Sequence, residues 1–566
     1  MELFSTLDWL VIGGFALLLI GIIVWVMKQK QDDSADYFLG GRDATWIAIG
    51  ASIFASNIGS EHLIGLAGAG ASSGMAMAHW EIQGWMILIL GWFFVPFYSR
   101  SMVYTMPEFL ERRYNSQSRT ILSGISLISY VLTKVAVTVY AGGLVFQQVF
   151  GIDTLWGIDF FWIAAIGLVL ITAVYTIVGG MKSVLYTSVL QTPILLLGSL
   201  IILVLGLKEL GGWEEMMRIC SAVTVNEYGD SMTSLIRSNS DADFPWLGAL
   251  VGSSIIGFWY WCTDQYIVQR VLSGKNEKES RRGTIFGAYL KLLPVFLFLI
   301  PGMIAFALHQ KGIATGDGFL PFLDNGNVNS DAAFPTLVAK LLPAGVKGLV
   351  VCGILAALMS SLASLFNSSS MLFTIDFYKR FRPNTSEKSL VRIGQVATVV
   401  IVVLGILWIP IMRSIGDVLY EYLQDVQSVL APGIAAAFLL GITWKRTSAQ
   451  GGMWGLISGI IVGLTRLGAK VYYSNVTDAS DSLFKYIFYD VNWLFFCGWM
   501  LLFCIVVVVL VSLATPAPSA EKIQGLVFGT ATAEEKAASR ASWNKWDVIH
   551  SVIIIGITVA FYIYFW

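Results

Sequence analysis

Several hydrogen-bonding and ionisable groups sit in this chain where apolar residues surround them on both sides. The stretch TWIAIGASIFASNIGSEHLIGLAGAG (45–70) is long enough to span a bilayer, which takes about 20 residues at helical rise. Its middle, Ala55-Ser56-Asn57-Ile58-Gly59-Ser60, is a poor membrane helix, and Glu61 and His62 follow directly. Lipid cannot satisfy such groups, so they must face protein or a water-filled cavity. A helix that breaks there exposes carbonyls that suit a hard cation and N–H groups that suit a polar ligand. An intact helix whose small residues pack on a neighbour is the alternative.

Glu81 lies in AHWEIQG (78–84) and Lys291 in YLKLLP (289–294), both inside apolar runs. A lone carboxylate at that depth costs about 2.5–3.5 kcal/mol on insertion scales, so each needs a polar partner. They form a natural donor–acceptor set around a polyhydroxylated ligand, or they pair only with each other. Lys134 is a second intramembrane lysine, for which a structural role is the expectation. Trp259-Tyr260-Trp261 puts rings beside a second interruption, GFWYWCTDQ (257–265). Sugars present C–H faces that stack on aromatic rings; an interfacial aromatic belt is the plainer reading, which Asp264 weakens. Ala357, Ser360 and Ser361 fall at i, i+3 and i+4, on one helix face. Two hydroxyls with carbonyls from an unwound neighbour suit a small monovalent cation; close helix packing is the alternative. Gln424 adds a polar group where a later apolar stretch begins.

Apolar runs of spanning length recur from end to end, and fourteen spans are expected: about 7–27, 45–70, 74–98, 120–147, 158–178, 182–207, 246–270, 284–308, 346–377, 390–412, 416–442, 449–472, 491–514 and 546–566. Residues 1–7 hold no Lys or Arg and the run behind them is too long for a signal peptide, so the first span is expected to be retained. Lys and Arg cluster in alternate loops, which the positive-inside rule makes cytoplasmic, with both termini outside. The loops 208–245 and 309–345, rich in Gly, Asp, Ser and Asn, have the composition of lids, and 515–545 reads as partly disordered.

Setting the first span and its linker (1–44) aside, spans two to six (45–207) and seven to eleven (246–442) form equal halves across the loop 208–245. An odd number of spans per half forces inverted topology. Each half opens with an interrupted helix, which is how transporters built from inverted repeats mark their binding site. Two further spans (443–514), the inner loop 515–545 and a last span (546–566) complete the chain.

The composition fits an all-α integral membrane protein: 566 residues, 56% hydrophobic and 13% charged, with mean hydropathy +0.71. A net charge of −1 gives no hint of nucleic acid. Four of the five cysteines lie in apolar runs with no metal or disulfide spacing, and no nucleophile–base pair points to an enzyme.

Together these stretches resemble the sodium/solute symporter family, and within it the sodium/glucose (galactose) cotransporters. GASIFASNIGSEHLIGLAGAGASSG (50–74), TMPEFLERRY (105–114), WYWCTDQYIVQRVLS (259–273), LKLLPVF (290–296) and LMSSLASLFNSSSMLFTIDFYKR (358–380) carry the resemblance, which covers nearly the whole chain outside the loops. It implies a LeuT-type core of five plus five helices with flanking helices, and a machine that couples sodium influx to hexose uptake by alternating access. By resemblance, backbone oxygens of Ala55, Ile58 and Ala357 and the hydroxyls of Ser360 and Ser361 would hold sodium. Asn57, His62, Glu81, Lys291 and Gln424 would bind the sugar. Tyr260 would stack under it as inner gate with Trp261 beside it, and Trp80 and Tyr420 would form the outer gate. Where two-sodium members carry an aspartate this chain has Ser188, so one sodium per sugar is expected. No protein partner is implied. The alternatives are a symporter of myo-inositol or another polyol, and a sugar-gated sensor or channel that has lost coupling.

Overall fold

The computed structural model describes residues 4–29, 32–59, 61–313, 318–323, 326–415, 419–474, 476 and 482–566, without the side chains of 132, 411–423 and 425. Among them, eleven helices are long and apolar enough to cross a membrane. The expected fourteen is not reached by this count, for two reasons. The stretches 45–70 and 246–270 are both interrupted, and neither holds a continuous span. The spans expected at 158–178 and 182–207 run on as one helix, Phe160–Leu210, kinked at Gly180. Gly180 has φ +51°, and a Cβ there would lie 2.4 Å from the Tyr37 carbonyl oxygen, so the kink needs glycine on two grounds.

Burial sorts these helices into a core and a periphery. Of its most apolar window, Val346–Phe381 buries 89% and Glu277–Ile313 83%; Thr6–Met27 buries 17% and Lys545–Tyr564 28%. The peripheral helices turn Leu10, Leu17, Trp499, Val552 and Ile563 outward. The polar groups that the chain does hold at this level, hydroxyls, carboxylates and cations, are buried in the interior among a larger apolar core, where protein partners can satisfy them. Small residues let the core backbones approach closely: a Cβ on Gly302 would lie 1.9 Å from the Ala67 carbonyl oxygen, and one on Gly70 2.2 Å from that of Leu299.

The halves expected from the sequence share a local signature. The interrupted helices carry π-helical turns at Glu61–Leu66 and Phe258–Thr263. The next helix of each half carries one at Leu90–Phe94 and at Val295–Leu299, just past Pro294. The third carries one at Tyr130–Val135 and at Leu372–Tyr378. Such turns swell the helix by one residue and are common at functional sites.

Both long loops pack on the bundle. Met75 donates its N–H to the Met232 carbonyl (2.9 Å), and Arg237 reaches the Ser73 carbonyl. Asp241 braces that loop: burial pushes its carboxyl up, but the Phe244 N–H and the Asn226 amide outweigh this and hold it below the usual range. The turn Ser330–Ala332 of the second loop packs on Ala67–Ser72.

The segment 515–545 corrects the expectation of disorder. It forms a turn at Ala520–Lys522 and a helix at Ala533–Ala541 whose first turn is fixed by a reciprocal Thr532–Glu535 cap. Leu526 and Val527 are buried, the Phe528 N–H donates to the Ile442 carbonyl (2.8 Å), and Lys522 donates to the Glu111 carbonyl (2.7 Å). Polar composition concealed these specific partners.

Candidate functional site

Both interrupted helices break inside the bundle. Helix Trp46–Asn57 ends where Ile58 takes extended backbone (φ −82°, ψ 111°). In the second, Asp264 is extended (φ −77°, ψ 128°) and caps Gln265–Leu272. The Tyr266 hydroxyl, just past the second break, donates to the Ser56 carbonyl at the first and ties the two together.

Between the breaks lies a cavity of about 70 Å³, room for several waters. The predicted substrate residues Asn57, His62, Glu81, Tyr260, Trp261, Lys291 and Gln424 all line it. Lys291 Nζ lies 2.6 Å from Glu81 Oε2, and His62 Nε2 lies 3.3 Å from the same oxygen. Asn57 Nδ2 is 3.4 Å from His62 Nε2, and Lys291 Nζ sits 5.4 Å above the Trp261 ring. A continuous polar chain therefore runs along one wall, from a helix break through His62 and Glu81 to Lys291. Among the described residues, three buried polar atoms on the walls find no protein partner: His62 Nδ1, Trp80 Nε1 and Gln424 Oε1. Buried polar atoms are nearly always paired, so these three can take a partner from water or from a ligand.

Of the predicted gates, Tyr260 stands edge-on to Trp261 (centroids 4.9 Å, 90°). Trp80 stacks on Trp493 (5.6 Å, 20°) from outside the two halves, with Phe244 of the long loop at its edge. The side chain of Tyr420 lies outside the described residues. One residue before Trp80, His79 is held by Tyr562 (Nδ1 to hydroxyl, 2.9 Å) and by the Leu235 carbonyl (3.1 Å).

The predicted sodium residues gather at the first break. Ser361 Oγ lies 3.0 Å from the Ile58 carbonyl oxygen and 3.0 Å from that of Ser56, the neighbour of the expected Ala55. Ser360 Oγ is 3.5 Å from Ser188 Oγ, so the serine that replaces an aspartate adjoins the same oxygens. Ala55 and Ala357 are both 1% exposed on the two facing helices. The assembly is made of neutral oxygens, the donor chemistry of a small hard cation.

Several further residues line the cavity that the sequence did not assign to the substrate site. Lys134 forms a 2.7 Å ion pair with Asp264, whose other oxygen takes the Tyr130 hydroxyl. Its ammonium lies 4.7–5.3 Å from the centroids of Tyr266, Tyr260, Tyr130 and Trp259. Gln83 donates to the Ser253 carbonyl (2.8 Å) and accepts from Trp261 Nε1 (3.3 Å), which fixes the indole. Glu61, Thr138, Tyr266 and Gln427 add further polar groups to the walls. The signal for the ion pair was present, since two unexplained charges at membrane depth ought to be tested as partners.

A model of the sodium:solute symporter family matches residues 37–459. The sodium/myo-inositol cotransporter 2 of Homo sapiens is 38% identical over 535 residues, which is 91% of this chain and 78% of that protein. The sodium/myo-inositol cotransporter of Canis lupus familiaris is 37% identical over 549 residues, 93% and 75% of the two chains. Among solved structures, a Na+-coupled sialic acid symporter in a substrate-bound outward-open state aligns with TM-score 0.73 at 22% identity, covering 91% of this chain and 99% of that one. The fold is the expected all-α membrane fold of the LeuT type.

Proposed function

The chain belongs to the sodium:solute symporter family, and from that premise we propose that it imports a cyclic polyol of the myo-inositol type, one sodium ion with each substrate. Sodium is the co-transported ion. The hexose reading gives way here to its alternative, because the relatives in hand are named for myo-inositol. The observation that carries the proposal is the wall of Asn57, His62, Glu81 and Lys291 facing Tyr260 and Trp261 across one cavity. Myo-inositol presents six hydroxyls around a ring with apolar faces. It suits acceptors and donors along one side and aromatic rings on the other. A carboxylate substrate is disfavoured by Glu81.

Ser361, Ser360 and the carbonyls at the first break bind sodium in this reading. The ion would tie the break to helix Val346–Met371 and so set Asn57 and His62, just beyond it, for the substrate. Sodium and substrate then raise each other's affinity by the same factor. One sodium crossing about 100 mV releases about 2.3 kcal/mol, enough for more than a tenfold substrate gradient at about 1.4 kcal/mol per decade. Tyr260 closes the inner path, and Trp80 with Tyr420 the outer. The Lys- and Arg-rich loops place the basic face in the cytoplasm and both termini outside. The halves 45–207 and 246–442 form the moving core.

The test is uptake of labelled myo-inositol into proteoliposomes with and without an inward sodium gradient, with glucose and galactose as competitors. Sodium-dependent accumulation that glucose fails to suppress supports the polyol reading. Accumulation of glucose that myo-inositol leaves untouched overturns it, and sodium-independent equilibration overturns coupling.

A further inference from the structure

On the face of the bundle that carries the Lys- and Arg-rich loops, a groove of about 300 Å³ separates the end of helix Gly74–Ser101 from the ordered segment after Leu526. Its polar wall is built from three cations: Arg100 at the end of the span, and Lys536 and Arg540 on helix Ala533–Ala541. Among the described residues no carboxylate lines it. Glu535, on the same helix, is turned back onto the Thr532 N–H (2.7 Å). Arg100 Nε is buried and has no protein partner among the described residues. The opposite wall is aromatic, with Phe93 (51% exposed) and Phe528 (37%) facing outward beside Trp92 and Trp543.

We infer that this groove binds the head group of an anionic phospholipid from the leaflet it faces. Three cations without a counter-charge call for an anion. Phe93, exposed on the flank of a membrane-spanning helix, with Phe528 of the adjoining segment against it, offers the acyl chains a surface at head-group depth. A free phosphate would have no use for that surface, and a zwitterionic head would bring its own cation against the three already there. Basic pockets between membrane helices are the usual places for such recognition. The lipid would also brace the bundle. Ser539 and Ser542 of the same segment donate to Glu277 Oε1 (2.6 and 3.2 Å) at the start of the span Glu277–Ile313. The groove thus joins the second helix of one half to the second helix of the other.

The full-length protein, purified from mixed micelles of phosphatidylglycerol and phosphatidylcholine, is analysed for retained lipid by native mass spectrometry. The wild type should retain phosphatidylglycerol in preference, and that preference should fall about fivefold for each cation removed in Arg100→Gln, Lys536→Gln and Arg540→Gln. Lys536→Glu, on an exposed position, gives the same reading should Arg100→Gln fail to fold. Equal retention of the two lipids, or a preference that the triple variant keeps, overturns the inference. So does displacement of the lipid by inorganic phosphate alone, which would make this a site for soluble anions. Retention is read without transport, so failure here is separate from failure of the polyol reading.

Discussion

The two helix breaks solve the same problem in opposite ways. At the first break the Ser361 hydroxyl meets the Ser56 and Ile58 carbonyls, with Ser360 and Ser188 beside it, while the Glu61 carboxylate folds back over Gly59. At Asp264 a carboxylate is met by a lysine ammonium, a tyrosine hydroxyl and a cage of four rings. The second break arrives with its own cation and is electrically complete. The first is a cluster of hydroxyl and carbonyl oxygens, and in the proposed reading it is the one that takes sodium. What a break does therefore depends less on the break than on whether its neighbours neutralise it.

The sharpest way to test this contrast is to strip the second break. Asp264→Ala leaves the Lys134 ammonium buried without its counter-charge, a change that costs about 3–5 kcal/mol. A large fall in the Tm of the purified protein is expected, mostly recovered when Lys134→Met is added. If the double variant is no more stable than the single, the ion pair is not what completes this break. A second test addresses the wall between the breaks. Lys291→Ala removes a charge-assisted bond and should raise the substrate half-saturation about tenfold to a hundredfold, with sodium activation retained. Unchanged substrate affinity would take Glu81 and Lys291 out of the site. At the first break, Ser361→Ala should raise the sodium half-saturation about fivefold while maximal uptake at high sodium persists. A wild-type sodium curve would strike Ser361 from the ion's ligands. The mildest change is Ser188→Asp, which places a charge beside Ser360. Attraction in this partly buried setting should lower the sodium half-saturation by about twofold to threefold, and a steeper Hill slope would signal a second ion. A curve unchanged in midpoint and slope would separate Ser188 from sodium altogether.

The sequence was most legible where it broke its own pattern. Ser56-Asn57-Ile58-Gly59 and Cys262-Thr263-Asp264 interrupt apolar runs, and the structure breaks the helix at both. Glu81 and Lys291 stood out because a charge in an apolar run demands a partner, and they partner each other. Lys134 and Asp264 obey the same rule, yet 130 positions separate them and several lone charges compete for each. Only the packing of their helices decides the pairing. Gln83 gave no warning, because an amide near a helix end looks unremarkable until its two bonds, to Ser253 and Trp261, are seen. The order in 515–545 depends on distant partners such as Ile442, Glu111 and Glu277, which composition does not encode. The choice between hexose and polyol turns on the placement of hydroxyl partners within one small cavity, and residue types alone leave it open.

The bond between His79 and Tyr562 spans 483 positions of chain. At a synthesis rate of about 5–20 residues per second, the tyrosine leaves the ribosome roughly half a minute to a minute and a half after the histidine. Through that interval an imidazole one position from Trp80, and two from Glu81, has entered the membrane without this partner. The binding chamber therefore cannot reach its final form helix by helix as the chain is inserted. Its outer wall closes only when a late helix docks back onto an early one, which makes the nascent protein most exposed to quality control over most of its synthesis.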